Sequence, residues 1–303
     1  VLFLVFNRPE TTRQVFKEIK RAKPPRLYVA ADGPRESKFG EVELVEEVRK
    51  ISTNVDWDCE VKILFREENL GCKFSVSNAI SWFFDNEEQG IILEDDCVPS
   101  QSFFWFCEEL LKKYKDDSNI YLISGDGRGS EIKSMKGDYG FSKYPLIWGW
   151  ASWARVWRKY DVHINDWKNN RIIIEKRFLS NRKMNIYWGE IFDKVSAGEI
   201  NTWDYQLVYL LLVDSAQCIV PRLNLITNIG FGIDATHTIN FDRHSANIPR
   251  FEINFPLIHF EDLDSGDGIN RRLEQKVFGN RSIGIKIKNR ILNILSRQLK
   301  FKK

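Results

Sequence analysis

Three consecutive carboxylates, Glu94-Asp95-Asp96, follow the apolar run Ile91-Ile92-Leu93. Like charges this close repel and raise one another's pKa. A hard divalent cation relieves the repulsion, since Mg²⁺ or Mn²⁺ prefers oxygen ligands and often links a protein carboxylate to substrate phosphates. A solvated acidic turn is the plainer account of any acidic triplet. Its place after a buried strand, at the rim where open α/β sheets bind ligands, favours the site reading here.

Other residues are candidates to join it. Asn7 and Arg8 follow the strand-like run Val1 to Phe6, and Asp32 ends a second run, Leu27 to Ala31. Trp148 and Trp150 flank Gly149, where backbone can approach a ligand closely, and are expected to form a sugar-facing wall. Trp150, Trp153 and Trp157 also have the i, i+3, i+7 spacing of one helix face, which for Trp153 and Trp157 reads as core. Asp204, beside Trp203 at an expected helix start, is a candidate acid, although an acid in a first turn is common for structural reasons alone. His237 can ligate a metal or touch a phosphate, whereas a lone histidine is more often a hydrogen-bonded structural residue. The loop Ser124-Gly125-Asp126-Gly127-Arg128-Gly129-Ser130 lacks a Gly-Lys-Ser/Thr ending, so it is not a Walker phosphate loop. It reads as an exposed connection, with a lid over the site as the alternative.

The elements that position these residues alternate in type. Strands are expected at 1–6, 27–31, 60–66 and 90–94, separated by helices over about 11–22, 41–51 and 72–84. Such alternation predicts a mainly parallel α/β sheet flanked by helices, gathering Asn7, Arg8, Asp32 and the acid triplet on one rim. A helix over 103–114, a strand over 120–124, a largely helical stretch over 170–213 broken near Gly198, and extended chain over 221–228 follow. The expected division is one half of a domain over 1–98 and a second half of the same domain over 99–260. A C-terminal extension over 261–303 completes it.

Composition describes an ordinary globular chain of 303 residues, with 43% hydrophobic and 29% charged residues. Ten Trp, nine Tyr and 21 Phe suit sugar stacking as well as a core. Residues 281–303 hold eight Lys or Arg and no acid, leaving 37 bases against 42 acids elsewhere. The tail over 283–303 therefore reads as a basic amphipathic segment, suited to anionic lipid or to docking on the acidic body. No nucleic-acid partner is expected. Five cysteines without a CxxC pair point to free thiols in a reducing compartment, and no run approaches a membrane span.

Taken in order, Phe6-Asn7-Arg8-Pro9, Ala31-Asp32-Gly33, Ile92-Leu93-Glu94-Asp95-Asp96 with Phe103-Phe104, Trp148-Gly149-Trp150 and Trp203-Asp204 resemble the GT-A nucleotide-sugar transferases. The nearest type is N-acetylglucosaminyltransferase I and its bacterial relatives, over roughly residues 1–240. The resemblance implies a Rossmann-like GT-A fold with a helical acceptor-side lobe. It makes 1–98 the nucleotide-sugar-binding half and 99–260 the acceptor-binding half. It assigns Arg8 and Asp32 to the nucleotide, with Asp32 reading uracil, and makes Glu94 and Asp95 donor-sugar contacts. Trp148-Gly149-Trp150 would line the donor or acceptor pocket, with Trp203 among the donor-binding residues. Asp96 becomes the direct ligand of Mn²⁺ or Mg²⁺, and Asp204 the catalytic base. The implied partners are a UDP-linked sugar donor and a glycan or glycolipid acceptor. The family's membrane anchor is not seen in this sequence, which suits a cytoplasmic bacterial enzyme at the inner membrane face.

The chemistry is coherent on the residues alone. A leaving diphosphate needs a cation, which Asp96 can hold, and the acceptor hydroxyl needs a base on the opposite side, which Asp204 can supply. Direct attack inverts the anomeric centre. Two other readings compete: a sugar-phosphate nucleotidyltransferase, for which Asn7-Arg8-Pro9 is a poor phosphate loop, and a non-catalytic glycan-binding protein.

Overall fold

The computed structural model describes residues 1–128, 135, 137–231, 247–259 and 266–278. His237 and the basic tail 283–303 lie outside the described residues.

The first half of the chain follows the alternation expected of it. Strand β1 (Leu2–Val5) is buried along its whole length, and Pro9, whose fixed φ suits a first helical turn, opens α1 (Pro9–Ala22). Thr11 and Thr12 do not cap this helix from outside; their hydroxyls bond back to the Arg8 carbonyl, at 3.2 and 2.7 Å. Then come β2 (Arg26–Ala31), α2 (Glu41–Ser52), β3 (Glu60–Phe65), α3 (Gly71–Asn86) and β4 (Gln89–Glu94). Strands β3, β2, β1 and β4 pair in parallel in that order. Their buried faces, with Leu2, Phe3, Leu27, Val29, Ile92 and Leu93 all fully covered, explain the continuous apolar runs in the sequence.

The second half extends the same sheet with mixed polarity. After β5 (Cys97–Pro99), α4 (Gln101–Lys113), β6 (Ile120–Ser124) and β7 (Tyr139–Ser142) comes β8 (Trp150–Trp153). Strand β8 runs antiparallel between β4 and β6, with Ile92 opposite Trp150 and Gln89 opposite Trp153. The helix expected through Trp150 and Trp153 is therefore a strand, and only the single turn α5 (Ala154–Trp157) is helical. Helices α6 (Trp167–Arg177), α7 (Arg182–Ser196) and α8 (Asp204–Asp214) pack on one another as a lobe cemented by Trp167, Trp188, Phe192 and Tyr209. Gly198, at φ +74°, lies in the break between α7 and α8, as its position in the sequence suggests.

Strand β9 (Gln217–Pro221) completes an eight-stranded sheet of order β3-β2-β1-β4-β8-β6-β9-β7. It pairs in parallel with β6 and antiparallel with β7. The class is α/β, with a mainly parallel central sheet flanked by helices. A separate ribbon joins β10 (Ile226–Asn228) antiparallel to β5. Because β5 begins directly after Asp96, that ribbon lays the chain beyond Asn228 across the acid triplet. Helix α9 (Gly266–Leu273), continued by a π-helical turn over Glu274–Phe278, packs beside β7. Among the described residues no helix is long and apolar enough to cross a membrane.

Candidate functional site

The ends of β1 and β4 are adjacent because the two strands pair directly, with Leu4 opposite Glu94. Arg8, just past β1, consequently reaches the triplet. Its Nη1 donates to Oδ2 of Asp96 at 2.9 Å, and its Nη2 to Oδ1 of Asp95. Burial opposes the Arg8 charge, but Asp95 and Asp96 outweigh it and raise the guanidinium pKa. Asp95 is 4% exposed along its side chain, and its Oδ2 is buried without a hydrogen-bond partner among the described residues. Burial pushes the Asp95 carboxyl up to about 6, against the pull of Arg8. Glu94, partly buried, is raised further, to about 8, first by burial and then by Asp96 and Asp95. One cation thus faces three acids, and the cluster carries surplus negative potential.

Asp96 is the most accessible of the two aspartates, 14% exposed along its side chain. Its Oδ1 lies 3.4 Å from Nδ2 of Asn228 and 3.3 Å from Sγ of Cys97, both long contacts. Its carbonyl accepts the Ile229 N–H at 2.9 Å, continuing the β5–β10 ribbon. Gly230 follows, with its N–H on Oδ1 of Asn228 at 2.8 Å. A Cβ on Gly230 would stand 2.1 Å from Oδ2 of Asp96 and 2.9 Å from Nη1 of Arg8. Only a glycine lets this strand close over the pair. Gly230 escaped the sequence reading because a glycine's role depends on the partner it covers, here 134 positions away.

Asp204 comes from the other lobe, in the first turn of α8. Thr202 donates its hydroxyl to Oδ1 of Asp204 and fixes its rotamer. The Asp204 charge is among those that raise Glu94 and Cys72, so Asp204 lies within electrostatic reach of the triplet. The two lobes also touch at Asn201, whose Oδ1 accepts the Lys73 N–H at 3.3 Å beside Gly71.

Asp32 and Asn7 are held by local networks. Oδ1 of Asp32 accepts the N–H groups of Gly33 and Leu70, and Oδ2 that of Gly71, each at 3.0 Å. The carboxylate thereby covers the start of α3, favoured there by the helix dipole. Burial raises the Asp32 pKa in spite of these donors. Asn7 donates to Oε1 of Glu41 at 2.8 Å, and Glu41 in turn holds the Arg35 backbone N–H and guanidinium.

The tryptophans divide. Trp148 is half-buried and meets Phe231 edge-on, with ring centroids 5.5 Å apart. Trp150 and Trp203, expected to line a donor pocket, are instead 1% and 2% exposed and stack on each other at 5.9 Å. Their indoles present no face to a ligand, because both rings are packed into the core against each other. Gly149 adopts φ +60° and packs so closely that a Cβ would lie 2.6 Å from Ile226.

The glycine-rich turn after β6 is another departure from expectation. Gly125, Asp126 and Gly127 are buried, not exposed, and Asp126 pairs with Arg128.

Among the described residues, no three His, Cys, Asp or Glu side chains converge as a metal cage. The donor chemistry fits a hard cation held differently. Asp96 offers a partly exposed carboxylate, and Mg²⁺ or Mn²⁺ commonly takes one or two protein carboxylates with the remaining ligands from phosphate and water.

No family model and no curated relative matches this chain. Solved structures are similar at a distance. HddC from Yersinia pseudotuberculosis is 8% identical over 52% of this chain and 79% of its own, with a TM-score of 0.29. The same protein complexed with GMP-PN gives 9% identity, the same coverage and a TM-score of 0.31. Mouse xyloside xylosyltransferase 1, in its apo form, is 10% identical over 70% of this chain and 80% of its own, at 0.35.

A polar cleft of about 550 Å³ opens at the opposite rim, where β2, β3 and β4 begin. Its charges are paired, Arg26 with Glu87, Lys62 with Glu60, and Glu88 with Arg158 from outside the cleft. The uncompensated charge lies at the carboxyl rim.

Proposed function

We propose that this chain is an inverting glycosyltransferase that moves a sugar from a UDP-linked donor to a hydroxyl of a glycan or glycolipid. The observation that carries the proposal is the meeting of the Arg8-bound triplet on β4 with Asp204 from the separate α8. A donor diphosphate and an acceptor base need groups on opposite sides of one space, and in this reading the triplet and Asp204 would supply them. Arg8 is the cation nearest the triplet and the natural partner of a phosphate oxygen. Asp96 would hold Mn²⁺ or Mg²⁺, which when bound neutralises charge on the departing diphosphate. Glu94 would contact hydroxyls of the donor sugar, and Asp95, 4% exposed along its side chain and held by Arg8, would orient Arg8. Asp204 would take the proton of the incoming hydroxyl, a contribution of about 10² to 10⁴-fold in rate.

A UDP-release assay over a panel of UDP-sugars with glycan acceptors tests this reading. Acceptor-dependent release that falls about 10² to 10⁴-fold in Asp204→Asn, with donor binding retained, is the expected result. Release of pyrophosphate from UTP and a sugar phosphate instead would replace the transferase by a nucleotidyltransferase.

A further inference from the structure

The turn after β6 holds a guanidinium with one edge occupied and the other idle. Nε of Arg128 donates to Oδ1 and Oδ2 of Asp126, at 2.9 and 2.8 Å, and Nη2 lies 2.5 Å from Oδ2. The Asp126 side chain is fully buried and that of Arg128 is 10% exposed. Since Nε and Nη2 share one edge of the planar group, Nη1 occupies the far side. Nη1 is buried and has no hydrogen-bond partner among the described residues. An orphaned buried donor costs roughly 1–3 kcal/mol, so a group that accepts from it is favoured by a similar amount.

The surroundings tell what that group is. The Arg128 guanidinium carbon lies 3.4 Å from the centroid of Trp148, which Phe231 meets edge-on. Gly149, next to Trp148, packs against Leu93, the residue before Glu94: a Cβ on it would lie 3.2 Å from the Leu93 side chain. Phe231 directly follows Gly230, which lies on Asp96. The idle donor and its two aromatic neighbours therefore stand beside the triplet. The Arg128 charge is already matched by Asp126, and the adjoining acids leave the locality negative, so an anionic acceptor is disfavoured. A neutral oxygen with an apolar face beside it fits: a pyranose, whose C–H face packs on aromatic rings.

We infer that Arg128 is a specificity-determining residue, donating from Nη1 to a neutral oxygen of the transferred sugar while Trp148 and Phe231 face the ring. This rests on the donor-site reading above. The oxygen is either a ring hydroxyl or the carbonyl of an acetamido substituent.

Calorimetry of the full chain with Mn²⁺ separates the possibilities, using UDP, UDP-glucose, UDP-galactose and UDP-N-acetylglucosamine on the wild type and Arg128→Lys. Lysine keeps the charge beside Asp126 but has no second edge. The expected result is UDP affinity unchanged within about twofold, while the preferred UDP-sugar weakens about tenfold and the ranking of sugars flattens. Preference for the acetamido donor assigns the carbonyl, and preference for a hexose assigns a hydroxyl. Equal affinity of the wild type for all three sugars, or an Arg128→Lys ranking like the wild type's, overturns the inference and leaves the donor site standing. A wild type that does not bind UDP overturns both. Should Arg128→Lys lose UDP binding by misfolding, saturation-transfer NMR on the wild type decides. Transfer from aromatic protons to the sugar ring supports the assignment, and transfer confined to the uridine overturns it.

Discussion

Gly230 closes over Asp96 so tightly that a methyl group on it would lie 2.1 Å from the carboxylate Oδ2. The contact ties the metal-ligand candidate to the β10 segment and to Arg8, whose Nη1 would be 2.9 Å from the same methyl. Gly230→Ala is expected to displace both side-chain ends while leaving the sheet intact. Thermal unfolding should shift by no more than a few degrees, and Mn²⁺-dependent UDP affinity should fall at least about tenfold, about 1.4 kcal/mol. Parallel calorimetry and melting curves check the split.

Trp150 and Trp203 should behave as core and Trp148 as part of the site. Trp150→Ala and Trp203→Ala are each expected to cost about 3–5 kcal/mol in denaturant unfolding. Trp148→Ala, at a half-buried position, should cost less and weaken UDP-sugar binding more than UDP binding.

That division also marks what was legible in the sequence. Strands β1, β2 and β4 could be read because each carries a short apolar run. The exposed edge strand β3 could be read from its place in an alternation with helices of clear periodicity, such as α1 with Val15, Phe16 and Ile19. The rim residues Arg8 and Glu94 to Asp96 followed from the strand ends. Strand β8 could not be read, because all four of its residues are buried and no alternation remains, while its tryptophans mimic a helix face. Asp126 looked like part of an exposed loop since its neighbours are glycines and polar residues. Its burial depends on Arg128 and on Asn224, which accepts the Gly127 N–H at 3.0 Å from far along the chain. Asp32 was legible as a rim acid, but its three backbone donors were not.

Asn7 is expected to influence stability through Glu41. The pKa of Glu41 is lowered: burial opposes the charge, but Arg35 and Asn7 outweigh it. A carboxyl with a folded pKa below its ordinary value of 4.5 stabilises the fold above that pH. The contribution disappears as pH falls through the lowered folded value. Glu41→Gln should therefore cost about 1 kcal/mol at pH 7, allowing for solvent screening at the part-exposed Arg35, and nothing measurable in strong acid. Urea titrations of both proteins across this range test the window, and an equal deficit at all pH values would show that charge is not the cause.

The most direct measurement is calorimetry of the purified chain with UDP, with and without Mn²⁺, repeated on Asp96→Asn. The account predicts binding that requires Mn²⁺ and weakens at least about tenfold in Asp96→Asn, with melting behaviour preserved. UDP binding that is indifferent to both the metal and Asp96, or no UDP binding by the folded wild type, would contradict it.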